Sequence, residues 1–576
     1  MLLIETALVL LSLLIAFIYP SLGSRWFEKL EDSFGKLARR QRLSVVVVGL
    51  TALIARAALL PVLPVPSPGV HDEFSYLLMS DTFAHGRLSN PTHPMWVHFE
   101  SFHINQEPTY VSMFYPAQGL FLATGQTIFG HPFWGVWLSI GFMCAGICWM
   151  LQAWISPEWA LLGGFLAAIR LGTFSYWANS YWGGAAAAIG GALVLGSLAR
   201  IKQYQSLRNV LLMGLGLAIL ANSRPFEGLF FSTPVVVGLV VWVFKKRGQA
   251  FRQSAVHVLL PLGLVLTVTA SAILYYCWRT TGSPFRTPYL VNVARYNPVP
   301  YFAWQSVKSA PDYRHPMMAE YYLGWWLRQY ELARQHPLIL VLIKAHVFWF
   351  FFLGPLLVLP VIMLGIVLPY GTSWKDFGKE TRFLLIVFFS SLLGLLLPVI
   401  LLPHYASPMT CLIYALVLLA MKRIRNWCWR EKAVGVAMVR YMCGAAVTLL
   451  LLWTGALAIH IPISNFPTPE TWCSPWEQLV DRAAIQGQLE NSTGRQLVIT
   501  RYSRQHNPMR EWVYNLADID NAKVVWAQDM GAAENAELIR YFQDRYVWLV
   551  EPDANPPKLS PYIREEGSIL LDRGKR

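Results

Sequence analysis

The sequence predicts a mainly α-helical polytopic membrane protein with a small C-terminal α/β module, and three observations predict it. Of 576 residues, 55% are hydrophobic and only 14% charged, against a usual charged share of about 25%. The apolar residues fall into about a dozen runs of the length that crosses a hydrocarbon layer. From Ile463 onward the composition turns soluble. The net charge of +14 sits in short loops between apolar runs, so orientation by the positive-inside rule accounts for it better than nucleic-acid binding does. The seven cysteines are scattered; Cys144 and Cys148, four apart, read as buried apolar thiols, and no disulfide framework is implied.

Taken in order, Leu2 to Tyr19 is a first span, retained because it lacks a basic start and a small-residue cleavage site. A basic stretch through Arg42 is expected in the cytoplasm. Ser44 to Leu63 crosses outward and ends at Pro61, Pro64, Pro66 and Pro68, since proline cannot continue the ladder. An outer loop, 64–116, follows. Ala117 to Phe129 is too short to span and is expected to be a re-entrant or interfacial helix. Six further spans lead, through basic loops, to a second outer loop, 279–337, crowded with Arg, Tyr, Trp and Pro. Leu338 to Pro369 is too long for one upright span, and an interfacial helix entering a span near Phe350 is expected. Phe383–Leu402, Ala406–Met421 and Val434–His460 complete about twelve spans. Every basic cluster then lands on one side, and both large loops and the tail on the other. The expected domains are 1–462, transmembrane, and 463–576, with strands at 496–500, 523–526 and 546–550 and a helix at 532–543.

The chemistry is expected in the first outer loop, which opens Val70-His71-Asp72-Glu73-Phe74-Ser75-Tyr76. A partly desolvated carboxylate at a lipid boundary has its pKa raised toward a value useful for a base. The alternative for Asp72 is a helix N-cap, but a cap needs no second carboxylate beside it. Arg224 at the mouth of two apolar helices suits a lipid phosphate, or else pairs with Glu227 three residues on. His404 and Tyr405 stand at another turn, where a histidine can bond a phosphate oxygen or shuttle a proton. His103, Asn105, Gln106 and Glu107 offer amide and carboxyl partners to sugar hydroxyls. Trp96, Trp177 and Trp182 read as aromatic-belt residues before sugar platforms. The loop histidines His85, His93, His98 and His103 match no dependable zinc spacing, so no metal is expected. No Walker loop, dinucleotide fingerprint or nucleophile elbow is present, which favours a lipid-linked donor, and no cofactor is expected.

A span, an outer loop opening with Asp72-Glu73, and Tyr115-Pro116 before an interfacial helix resemble the GT-C class of glycosyltransferases, and more closely the bacterial relatives of the protein O-mannosyltransferase and lipid A aminoarabinose transferase groups. The resemblance covers the membrane half well and the tail weakly. The extra first span departs from the usual plan of that class. The resemblance implies that Asp72 is the base activating the acceptor, with Glu73 its companion, and that the donor is a polyprenyl-phosphate sugar. It implies a bacterial inner-membrane enzyme, acting at the extracytoplasmic face among membrane lipids on a lipid, glycan or protein acceptor, with inversion. A transporter or lipid flippase is the rival reading. Transporters gather charges at mid-membrane in repeated halves, and no repeat is visible here. A membrane scaffold would explain the tail but not Asp72 beside Arg-lined loops.

Overall fold

In hydrocarbon every backbone N–H and C=O has to be paired within the chain, so long apolar runs fold as helices. The computed structural model describes residues 2–368, 375, 377–461, 471–473 and 477–563. Among these, eight helices are long and apolar enough to cross a membrane: Gln41–Ala58, Phe133–Leu151, Ala185–Tyr204, Pro225–Phe244, Gly248–Thr281, Pro337–Val367, Pro403–Arg425 and Val434–Ala458. The other four expected spans are also helical. Leu2–Ile18, Pro157–Leu171 and Leu207–Ala221 have 17, 15 and 15 residues, and Lys379–Leu396 opens on Lys379, Glu380 and Arg382. Pro116–Phe129 has 14 residues, below the about 17–25 of a span. The long apolar run after Pro337 changes course close to Phe350, through a π-turn over Trp349–Leu353 and a positive φ of +55° at Gly354.

Small residues let the helices approach closely. A Cβ on Gly191, in the Gly/Ala-rich helix Ala185–Tyr204, would lie 1.8 Å from the Pro408 carbonyl oxygen. At the end of the bundle away from the large loops, Glu31 forks onto Arg425 and Arg440 at 2.9–3.0 Å. Two of the basic stretches expected on one side therefore do meet. Inside the bundle Lys344 donates to the carbonyls of Leu395, Leu396 and Pro398, closing the carboxyl end of a helix whose last carbonyls have no partner of their own.

The large loops and the tail gather at the other end. Strands β1 (Ile104–Asn105) and β2 (Val111–Ser112) pair antiparallel within the first loop. Asn105 Nδ2 donates to the Pro288 carbonyl, and Thr109 Oγ1 to that of Thr280, tying it to the second loop. The tail contains β3 (Arg495–Thr500), β4 (Val524–Gln528), β5 (Arg545–Glu551) and β6 (Lys558–Pro561) in the order β4-β3-β5-β6. The first three are parallel, and β6 runs antiparallel at the edge. Expected strands and helix are present, with Val480–Glu490 as an additional helix. The boundary expected at 462/463 lies outside the described residues.

The tail is not a separate bead. Phe74 and Leu78 of the first loop share a core with Trp512, Tyr514 and Trp526. Phe74 stacks on Tyr514 at 4.2 Å, and the buried Arg482 guanidinium lies 4.7 Å from both Phe74 and Trp526. The Ala517 N–H donates to Asp81 Oδ2 at 2.9 Å, and the Tyr110 hydroxyl to the Asn515 carbonyl. With this end expected outside, a cysteine placed at Ser89 should react with an impermeant maleimide from the periplasmic side. Protection of that cysteine would invert the orientation.

Candidate functional site

The site is built at the first turn of a 14-residue helix, His71–Ala84. Pro66, Pro68 and Gly69 keep the chain extended before it, and Gly69 is required by contact: a Cβ there would lie 1.6 Å from the Glu477 carbonyl oxygen of the tail. Val70 is the N-cap and has no polar side chain to cap with. Glu73, at the third helical position, supplies the missing acceptor. Its Oε2 accepts from the Gly69 and Val70 amides at 2.7 and 3.3 Å, and its Oε1 from the Tyr181 amide at 2.9 Å. Burial raises the Glu73 carboxyl to about 7 against these three donors. The capping role weighed for Asp72 thus belongs to Glu73, whose oxygens are spent on backbone. This argues against Glu73 as a catalytic companion.

Asp72 is left to face His71 and His103. Its Oδ1 lies 3.2 Å from His71 Nδ1 and 2.5 Å from His103 Nδ1, with 16% of the side chain exposed. His103 adopts φ +60°, a left-handed conformation costing about 1–3 kcal/mol outside glycine. It is held there by the Ser75 hydroxyl and the Met113 amide, which both donate to its carbonyl, at 2.7 and 3.0 Å. His71 is enclosed by Phe102, His103 and Tyr321, with ring centroids 5.2, 4.5 and 4.9 Å away. Burial opposes ionisation of Asp72, yet the two imidazoles hold its carboxyl well below the usual carboxylate range. The raised pKa expected of a boundary carboxylate is therefore corrected: neighbouring donors outweigh desolvation. Burial, and then the neighbouring His103, push His71 down to about 4, so that ring is neutral at physiological pH.

Arg224 makes no ion pair with Glu227 among the described residues; its guanidinium lies 4.5 Å over the Tyr405 ring. Tyr76, one turn beyond Asp72, links the two ends of the site. Burial pushes its hydroxyl up to about 12, Arg224 pulling it down and Asp72 raising it. Tyr115 and Tyr289 stack beside this cluster at 6.4 Å. The site thus has a carboxylate end and a guanidinium end with phenols between them.

His404 borders the guanidinium end: it is 1% exposed, its Nδ1 lies 2.9 Å from the Tyr176 hydroxyl and its ring 4.9 Å from that of Tyr405. Gln106 is buried and donates to the Phe99 carbonyl, and Glu107 pairs with Arg295 at 2.8 Å. Of the proposed sugar contacts only His103 reaches Asp72. Trp177 and Trp182 are core residues rather than belt residues, 0% and 3% exposed. His93 and His98 dock the loop onto the tail, at Asp520 and the Gln528 carbonyl. The sequence reading passed over His71, though it adjoins Asp72. It also missed Tyr321, which comes from the second loop with no sequence signal.

His71, Asp72 and His103 each offer one donor atom, all within 4.8 Å of one another. Two imidazoles and a carboxylate suit zinc or another first-row divalent ion. His71 Nε2, buried without a hydrogen-bond partner, is consistent with such a ligand. Linear spacing did not suggest this donor set, because His103 reaches it by folding back through β1 and β2.

No protein-family model matches the chain, and no curated protein does. Among solved structures it is similar to the oligosaccharyltransferase of Archaeoglobus fulgidus in complex with Zn and sulfate (TM-score 0.45, 11% identity, covering 88% of this chain and 67% of that one). It is also similar to ArnT from Cupriavidus metallidurans, in the apo state (0.43, 14%, 87% and 92%) and bound to undecaprenyl phosphate (0.41, 15%, 88% and 92%).

Proposed function

We propose that this chain is an integral-membrane glycosyltransferase that moves a sugar from a polyprenyl-phosphate carrier to an acceptor at the extracytoplasmic face of a bacterial inner membrane, with inversion. The observation that carries the reading is the Asp72 carboxylate clamped between His71 and His103, with the partly exposed Arg224 across Tyr76 and Tyr405 from it. Asp72 receives the proton of the acceptor hydroxyl or amine as that atom attacks the anomeric carbon. The proton passes to the carboxylate as bond formation makes the attacking group acidic. Arg224 compensates the charge that localises on the departing lipid phosphate, and Tyr405 beneath it holds the guanidinium in place.

The test is transfer by purified protein reconstituted with a lipid-linked sugar, scored as labelled acceptor. Arg224→Ala should lower kcat/KM by about 10²–10³-fold, with donor affinity falling alongside. Unchanged donor affinity in this variant would leave Arg224 a structural residue only.

A second reading of the same residues is favoured by the three donors and the unpartnered His71 Nε2. Here His71, Asp72 and His103 would hold a divalent cation, which would supply positive charge to the reacting groups. Under this reading a chelator abolishes transfer and zinc or manganese restores it. Full activity after exhaustive chelation leaves Asp72 acting alone.

A further inference from the structure

A cleft of about 1650 Å³ lies between the second loop and the tail, larger than the about 300–1,000 Å³ that holds a drug-sized ligand. Its floor is the carboxyl end of the parallel strands, Thr500 of β3 and Gln528 of β4. The strand order reverses at β3, the position where open α/β sheets bind ligands. One rim is the N-terminus of the ten-residue helix Ala532–Tyr541, whose first amides have no intrahelical acceptor. The opposite wall is Glu320, Leu323 and Gly324 of the π-helical segment Glu320–Trp326. Tyr321 of that segment packs on His71 and reaches 3.5 Å from His103 Nε2. The cleft therefore lies one helix away from Asp72.

Two buried polar atoms in this cleft have no protein partner. Thr500 is 1% exposed with Oγ1 unpaired, and the His506 side chain is 4% exposed with Nε2 unpaired. His506 Nδ1 donates to Asp553 Oδ1 at 2.8 Å, and its ring stacks on Tyr502 at 3.9 Å. Nε2 is thereby left as an acceptor. The charged groups of the lining are mostly paired, Arg501 with Asp529 and Arg328 with Glu320. A fully ionised anion has no proton to give His506 Nε2, whereas a sugar hydroxyl donates there and accepts from the helix amides and Thr500. Paired guanidinium and carboxylate groups likewise match vicinal diols.

We propose that the cleft binds a neutral, hydroxyl-rich oligosaccharide, the non-reacting part of a glycan acceptor whose end passes over Tyr321 to Asp72. This rests on the transferase reading above, and the test separates the two. Full-length protein in nanodiscs is probed for binding, without donor, against immobilised short neutral oligosaccharides, acidic oligosaccharides, peptides and inorganic phosphate. Neutral oligosaccharides are expected to be retained. Thr500→Val should weaken that binding about tenfold, and Ala533→Trp, which fills the cleft from an exposed position, at least as much, with thermal unfolding unchanged. Asp72→Asn should bind as wild type. Retention of peptide or phosphate in place of neutral glycan, or glycan binding that survives both cleft variants, overturns the proposal. Full transfer by Asp72→Asn overturns the transferase reading and leaves the binding result standing.

Discussion

Replacing Asp72 with Asn is expected to lower kcat/KM for sugar transfer by about 10²–10⁴-fold, the range typical of a lost acid–base group. The fold should not notice. Asn keeps the size of the side chain, and the helix start is held by Glu73 through the Gly69, Val70 and Tyr181 amides, with no contribution from Asp72. Unfolding temperature should therefore stay near that of wild type while transfer collapses. Glu73→Gln should do the reverse, losing stability first, because an amide NH₂ would oppose backbone donors that now meet a carboxylate. Full transfer by the Asp72 variant would remove this residue from the reaction and leave the histidine pair without a purpose.

The second large effect is expected in the bundle. Glu5 and Arg170 form an ion pair at 3.1 Å, 2% and 1% exposed. The Leu356 amide donates to Glu5 Oε1 and the Trp472 indole to Oε2, both at 3.1 Å, and Arg170 lies 4.5 Å over the Trp472 ring. Removing one partner strands the other charge where water does not reach. Glu5→Ala should destabilise the protein by about 3–5 kcal/mol, read as a lower unfolding temperature in detergent. Pairing it with Arg170→Met should recover much of the loss, since no uncompensated charge then remains. Equal stability of Glu5→Ala and wild type would mean that the first helix is not held by this pair.

Much of the architecture was legible because its cause is local. The prolines ending the second span, the short run 117–129 and the change of course near Phe350 each follow from chain length or backbone chemistry, and each has its counterpart in the structure. The tail strands were legible for the same reason. Asp72 stood out because a carboxylate pair follows directly on the proline-rich end of a span. The assignment of roles within that pair was not legible. Adjacent helical residues point about 100° apart, and only the surrounding amides show that Glu73 turns inward to the Gly69–Val70 turn while Asp72 turns to the histidines. Similarly, packing turns Nδ1 of His404 to the Tyr176 hydroxyl and the amide nitrogen of Gln106 to the Phe99 carbonyl.

By itself, then, the sequence determined that this is a helical membrane protein with an α/β tail, and it singled out the Asp72–Glu73 pair in the first large loop. Hydrophobic run length, proline and charge are properties of neighbours along the chain, so they can be read there. The tertiary structure decided the rest: the His71–Asp72–His103 cluster, the approach of Arg224 to Tyr405, and the cleft under Tyr321. Each joins residues from distant parts of the chain, and the direction of a carboxylate's pKa follows from what packs around it in space, which no local pattern encodes.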